Sequence, residues 1–306
     1  MPIISTSTSA YFERARRDMS SLRAEAEQVQ AQLGSGQKLS RSSDNPVAAS
    51  RLRSLERLQQ FSEIDTVNAN RANADLSLAD GALSNIASTI IRAKELALQA
   101  ANGTLTDGQR ASIGQELEAI GGNLLALANT RDSNGHALFG GESAGDAYAL
   151  DAMGNANYIG TTSSGELPLG EGLSVTRSLT GPEFLNFSTS TGPTDLLSVM
   201  GTLAAALQGG STDPAGAAND AIAKLSAGLE SVTTAQTVVG SRLAWIELTA
   251  ERRTDLSELR TGEEADIGAT DIASSVTQLQ QTMLVLEASQ ASFSKLANLS
   301  LFNQIR

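Results

Sequence analysis

With 306 residues, a net charge of −12 and a pI near 4.6, the chain argues against a phosphate-backbone partner, which needs concentrated Lys and Arg. It contains no cysteine, which excludes disulfides, thiolate nucleophiles and Cys-bound zinc. Aromatic residues make up only 4%, so the apolar content rests on Ala, Leu, Ile and Val, the composition of long helices packing through small side chains.

The opening Met1-Pro2-Ile3-Ile4 leads into a polar stretch with no apolar signal-peptide core, and no run of about 20 apolar residues occurs anywhere. The expectation is no cleavable signal, no transmembrane helix and no membrane insertion. Phe12, Ala15, Met19, Leu22, Ala26, Val29 and Leu33 then recur in alternating steps of three and four, the seam of a coiled coil. Gly34-Ser35-Gly36 closes that helix.

Ser42-Ser43-Asp44-Asn45-Pro46 starts the next one. Asn45 is a good N-cap, and Pro46 suits the first helical position because its missing donor would have had no partner. No strong breaker follows until Asn102-Gly103, and Leu76, Ala79, Leu83, Ile86, Ile90, Ala93 and Ala97 keep the heptad step. Thr106 and Gln109 form a capping box for a third helix with seam Ile113, Leu117, Ile120, Leu124 and Leu127.

From Arg131 to Pro193 the heptads vanish, and 11 of the 27 glycines fall in this stretch. Short runs such as Asn157-Tyr158-Ile159 and Leu173-Ser174-Val175 between turn residues predict small β-strands and hairpins. Helical spacing resumes at Leu196, Met200, Leu203 and Leu207 and pauses at Gly209-Gly210. It returns after Asp213-Pro214 with Ile222, Leu225, Leu229, Val232, Gln236, Val239, Leu243, Ile246 and Ala250. A last seam comprises Ile272, Val276, Leu279, Met283, Leu286, Gln290, Phe293, Ala297 and Ser300.

The first and last seams are natural partners, which brings the two ends of the chain together. Residues 1–40 hold five basic and four acidic residues, and 265–306 two basic and three acidic. The ends are therefore neutral together, which suits dense self-association, and the acidic middle suits solvation. The predicted fold is mainly α: a long antiparallel helical rod or coiled coil with paired terminal helices and a small β-rich insert. Its domains are 1–40 with 266–306 for terminal coiled-coil assembly, 41–130 with 194–265 for the helical rod, and 131–193 for the Gly-rich insert.

Catalytic chemistry finds little support. His136 is the single histidine, in a turn-like Asp132-Ser133-Asn134-Gly135-His136 where a solvated imidazole is the ordinary state. Pairs such as Glu116/Glu118 and Glu263/Glu264 do not face each other on a helix. No P-loop or dinucleotide-binding glycine pattern appears. No catalytic, metal or cofactor site is assigned, and an enzyme is not expected.

Several stretches carry a family resemblance: Leu33-Gly34-Ser35-Gly36, Ser42 to Ala49, Asn102-Gly103-Thr104, Asn134 to Gly141, Ala288 to Phe293, and Leu299-Ser300-Leu301-Phe302. With these the chain resembles bacterial flagellins over residues 1 to about 141 and about 213 to 306. The Asp44, Asn45, Pro46 turn and the Ser-Leu-Phe near the end favour the branch of the family that joins hook to filament. The terminal Arg306 keeps filament flagellin as an alternative, and a surface-binding relative acting through the insert is a third reading.

The resemblance implies a structural role in the bacterial flagellum. The chain would polymerise as a homo-oligomer in a helical or ring assembly, beside other axial proteins (hook-associated proteins, hook protein, flagellin). It also implies type III export to the cell exterior without a cleaved signal, aided by an export chaperone. The expected assembly interface is both terminal seams, with Leu299, Leu301 and Phe302 added.

Overall fold

In the computed structural model the backbone is described for residues 3–39, 41–190 and 192–304, and side chains for 10–39, 41–190 and 192–296. The elements in order are α1 (Ile3–Ser35), α2 (Pro46–Ala100), α3 (Asp107–Ala128), β1 (Tyr148–Leu150), β2 (Ala156–Tyr158), β3 (Glu166–Gly170) and β4 (Leu173–Thr176). There follow α4 (Gly181–Leu185), β5 (Asn186–Thr189), β6 (Gly192–Asp195), α5 (Leu196–Ala205), a π turn at Ala206–Gly210, α6 (Pro214–Gly268) and α7 (Ile272–Gln304). The chain is mainly helical with small antiparallel strand pairs, as the periodicity predicts.

Helix starts follow the local chemistry. The Ala48 N–H donates to Asn45 Oδ1 at 3.1 Å, with Pro46 as the first residue of α2. Thr106 and Gln109 exchange the reciprocal bonds of a capping box at α3. Gly216 N–H donates to Asp213 Oδ1 at 2.8 Å, repeating the Asn45-Pro46 device at α6. The expected pause at Gly209-Gly210 is the π turn, where Gly209 has φ 103°, a value that L side chains rarely adopt.

The chain forms two compact units, one of residues Met1–Gln60 with Asp255–Arg306 and one of Phe61–Thr254. In the first, α1 and α7 run antiparallel. Phe12 meets Phe293 edge to face at 5.3 Å, and Gln278 donates to Glu25 at 3.1 Å, so advancing along one helix means retreating along the other. The start of α2 and the end of α6 are also antiparallel, tied by Arg51 to Glu263 through two bonds of 2.6 and 2.7 Å. That hydrogen-bonded guanidinium holds the Glu263 carboxyl below its usual range.

In the second unit the core is an alanine-rich helical seam with aliphatic fillers. Leu76, Ala79, Leu83, Ile86, Ile90, Ala93 and Ala97 of α2 are all buried, as are Leu117 and Leu124 of α3 and Leu225, Val232 and Val239 of α6. Gly228 lets α6 approach closely, since a Cβ there would collide with Leu196.

Residues 131–193 fall within this second unit. The three hairpins β1–β2, β3–β4 and β5–β6 form separate two-stranded sheets. A lone hairpin is marginal in water, and each here leans on helices or aromatic pairs. Tyr148 pairs with Tyr158 across β1–β2 at 5.2 Å between rings, and Phe139 meets Phe184 at 4.8 Å, both phenylalanines being fully buried. The β3–β4 hairpin is held to the helices through its backbone: Asn68 donates to Pro168 O and Arg253 to Leu169 O. Helix α4 departs from the strands and hairpins predicted for 131–193: Glu183 accepts from the Thr180 N–H and hydroxyl, which caps one short helical turn.

Candidate functional site: the terminal helix pair

The site singled out by the sequence is the pair of terminal seams. In α1 the seam residues share one face: Val29 is buried, and Phe12, Ala15, Met19, Leu22, Ala26 and Leu33 are half-buried. In α7 the seam residues divide between two degrees of exposure. Leu279, Leu286 and Phe293 are half-buried, while Ile272, Val276 and Met283 are 63%, 39% and 57% exposed and Gln290 is exposed.

The places of Val276, Met283 and Gln290 in the intrachain seam are taken by Ser275, Thr282 and Ser289, each one residue earlier and half-buried or buried. The physical reason is steric: α1 presents Ala15, Leu22 and Val29 at alternate seam positions, and small side chains opposite allow the backbones to come close. Sequence reasoning missed these three because it followed hydrophobicity. Their recurrence every seven residues was the available signal.

The displaced apolar residues leave α7 with more apolar surface than α1 covers. Ile272, Val276 and Met283 flank the seam on one side, and Val285 (48% exposed) lies on the other with Leu284 (70%) further round. Along the pair an open groove of about 420 Å³ is lined by Tyr11, Ala15, Met19, Leu284, Val285 and Phe293, and also by the charged Arg14 and Asp18. The side chains of Ala297, Ser300, Leu299, Leu301 and Phe302 lie outside the described residues.

The turn of Asp44, Asn45 and Pro46 caps the start of α2. Arg41 N–H donates to Asp44 Oδ2 at 2.9 Å, Asp44 N–H donates back to Arg41 O at 3.0 Å, and Asn45 receives Ala48. It starts α2 with Ala49 buried.

His136 sits in an exposed turn with Nδ1 3.8 Å from Asp132 Oδ2. Near it is an ion cluster that sequence reasoning missed. The Arg177 guanidinium bonds Asp75 at 3.1 Å and Asp132 at 3.2 Å, and both carboxylate side chains are only 2% exposed. The residues are 102 and 45 positions apart, so no local pattern announces the cluster. Burial would push the Asp132 carboxyl up, but the backbone N–H groups of His136 and Asn134 bond it and hold it below its usual range. Among the described residues no group of three or more His, Cys, Asp or Glu is placed to hold a metal ion, and no helix is long and apolar enough to cross a membrane.

Comparisons with known proteins agree with this picture. The family model for the bacterial flagellin N-terminal helical region matches residues 4–144. Flagellar hook-associated protein 3 of Escherichia coli (strain K12) is 26% identical over 312 aligned residues, covering 97% of this chain and 98% of that protein. Polar flagellin C of Vibrio parahaemolyticus is also 26% identical, but over 52% of this chain and 42% of its own length. In fold, the crystal structure of flagellar hook associated protein-3 from Legionella pneumophila superposes with a TM-score of 0.63 at 17% identity, covering 70% of this chain and 98% of that one. The N-terminal helical region is thus similar to that of bacterial flagellins, the whole chain aligns end to end with a hook-associated protein, and its fold is shared with another.

Proposed function

We propose that the chain is a structural subunit of the bacterial flagellum that joins hook to filament, polymerising in a helical or ring array through its α1–α7 pair. Residues 1–40 and 266–306 act as the assembly domain, 41–130 with 194–265 as a helical body, and 131–193 as an insert. The observation that carries this reading is the surplus apolar surface of α7. A helix that is apolar on more faces than one partner covers is built to be enclosed by further helices, and neighbouring copies supply them. The end-to-end correspondence with a hook-associated protein supports the junction role.

Filament flagellin is the second reading, favoured by the partial match to polar flagellin C. In either case the neighbours are axial flagellar proteins: hook-associated proteins, hook protein and flagellin. The chain acts outside the cell after export, an export chaperone covers α7 beforehand, and its role is structural. Removing the residues after Asp271 tests the reading in cells. The truncated chain is expected to fold in its Phe61–Thr254 unit and to leave cells non-motile; motility with the truncated chain would overturn it.

A further inference from the structure

Both connections between the terminal pair and the long helices pass through one point of the first unit. Between α1 and α2 the chain runs through Gly36 to Leu39; between α6 and α7 it runs through Ala269 to Asp271. The two strands of chain touch as a single antiparallel bridge, Gln37 opposite Ala269. Lys38 N–H donates to Gly268 O at 2.7 Å, and Thr270 N–H donates to Gly36 O at 3.0 Å.

The surroundings of this bridge are open around the glycines of the α1 end, while the Gln32 side chain donates to Lys38 O at 2.8 Å and Leu52 lies against Gly268. A Cβ placed on Gly34 or Gly36 would meet nothing within 4 Å, and Gly36 has φ +70°. Gln37 and Lys38 are exposed, and an open groove of about 420 Å³ lies beside the bridge between Leu39, Leu52, Thr261 and Ala265. Thr270 Oγ1 is buried without a hydrogen-bond partner, and an orphaned hydroxyl costs free energy that a rearrangement could recover. The helices that follow the bridge are started by their own residues, Asp271 Oδ1 accepting from Ala273 and Ser274 at α7 and Asn45 accepting from Ala48 at α2, whereas the Gly268 carbonyl that ends α6 takes its N–H from Lys38 in the bridge. Opening the bridge therefore leaves the starts of α2 and α7 intact and releases the Gly268 carbonyl at the end of α6 to water.

We propose that the Gln37–Ala269 bridge is a releasable latch that sets the angle of the α1–α7 pair against the adjoining ends of α2 and α6, so that one sequence can seat against neighbours presented at different inclinations. The latch rests on the junction reading above, because a subunit between two unlike assemblies meets neighbours that are not equivalent. Hinges of this kind use a few element-terminal residues that absorb the backbone change.

The bridge pattern makes the test direct. Gln37 and Ala269 occupy a non-hydrogen-bonded antiparallel position, where Cα atoms sit about 4.5 Å apart, within the range a disulfide spans. The chain has no cysteine of its own, so Gln37→Cys with Ala269→Cys gives one defined crosslink. Hydrogen exchange of the unmodified chain is expected to show the Lys38 and Thr270 amides at least 100-fold less protected than the Leu55 amide. Oxidising the double variant should raise their protection at least tenfold. It should also cut its binding to isolated, filament-free hook particles at least tenfold, with binding restored by reduction.

Protection of Lys38 and Thr270 equal to that of Leu55 in the unmodified chain overturns the latch, even if the double variant fails to fold. So does equal hook binding by oxidised and reduced forms. Hook binding by the reduced form and by the unmodified chain supports the junction reading whatever the latch does. Failure of the unmodified chain to bind hooks, with its exchange pattern as expected, overturns the junction reading and leaves the hinge standing.

Discussion

Arg177 lies between two carboxylates that water barely reaches, and removing it leaves both of them uncompensated. Breaking a buried ion pair by deleting one partner typically costs about 3–5 kcal/mol, so Arg177→Met, which keeps much of the stem, is expected to lower the stability of the Phe61–Thr254 unit by about that amount. Urea unfolding measures it, and a loss below about 1 kcal/mol would show that the cluster is solvated in solution. Asp132 adds a pH dependence of definite sign. Its carboxyl titrates below the usual range in the fold, against about 4 in an unfolded chain. The stability it provides is therefore present at neutral pH and is lost as pH falls from about 4 through the lowered folded value. Asp132→Asn should flatten the acid limb of the stability curve while leaving its shape between pH 6 and 8 unchanged. Neither effect could be anticipated from the chain, because Asp75, Asp132 and Arg177 are brought together only by the tertiary fold.

At the scale of elements, the three-four periodicity located the helices because a buried stripe must repeat with the helical turn. The caps at Asn45, Thr106 and Asp213 were equally legible, since each satisfies an orphaned N–H with its own side chain. Strand register was not legible, since the hairpins are too short for alternation to specify pairing, and the β3–β4 bulge between Pro168 and Gly170 shifts it further. The phase of α7 was half legible. Leu279, Leu286 and Phe293 belong to the intrachain seam, but Val276, Met283 and Gln290 do not.

This split separates two kinds of substitution. Leu286→Ala should weaken the α1–α7 pair by about 1–2 kcal/mol, less than a fully buried truncation, seen as faster hydrogen exchange along both helices. Met283→Glu should leave that exchange unchanged and abolish polymerisation. If Met283→Glu loosens the pair as much as Leu286→Ala, then Met283 packs inside the pair and α7 has no spare face. Gln290→Leu, on the same exposed flank, should likewise leave the isolated pair unaltered while changing the order of the assembly.

For the molecule as a whole, the two units have unequal means of support. The Phe61–Thr254 unit has a continuous buried core, whereas the first unit relies largely on half-buried seams in pairs of helices. Free subunits should therefore open at α1 and α7 well before the second unit unfolds, and enclosure by neighbours should supply the missing stability. The truncation after Asp271 should accordingly leave the melting of the second unit within about 2 °C of the full chain while removing all assembly, since a change well under 1 kcal/mol shifts a domain of that size by no more.

The central claim, that this subunit occupies the joint between hook and filament, is tested most directly by where it sits. Antibody-gold labelling of isolated, intact flagella in the electron microscope should show one narrow band at the end of the hook. Gold distributed along the whole filament would contradict the account and identify the chain as a filament subunit.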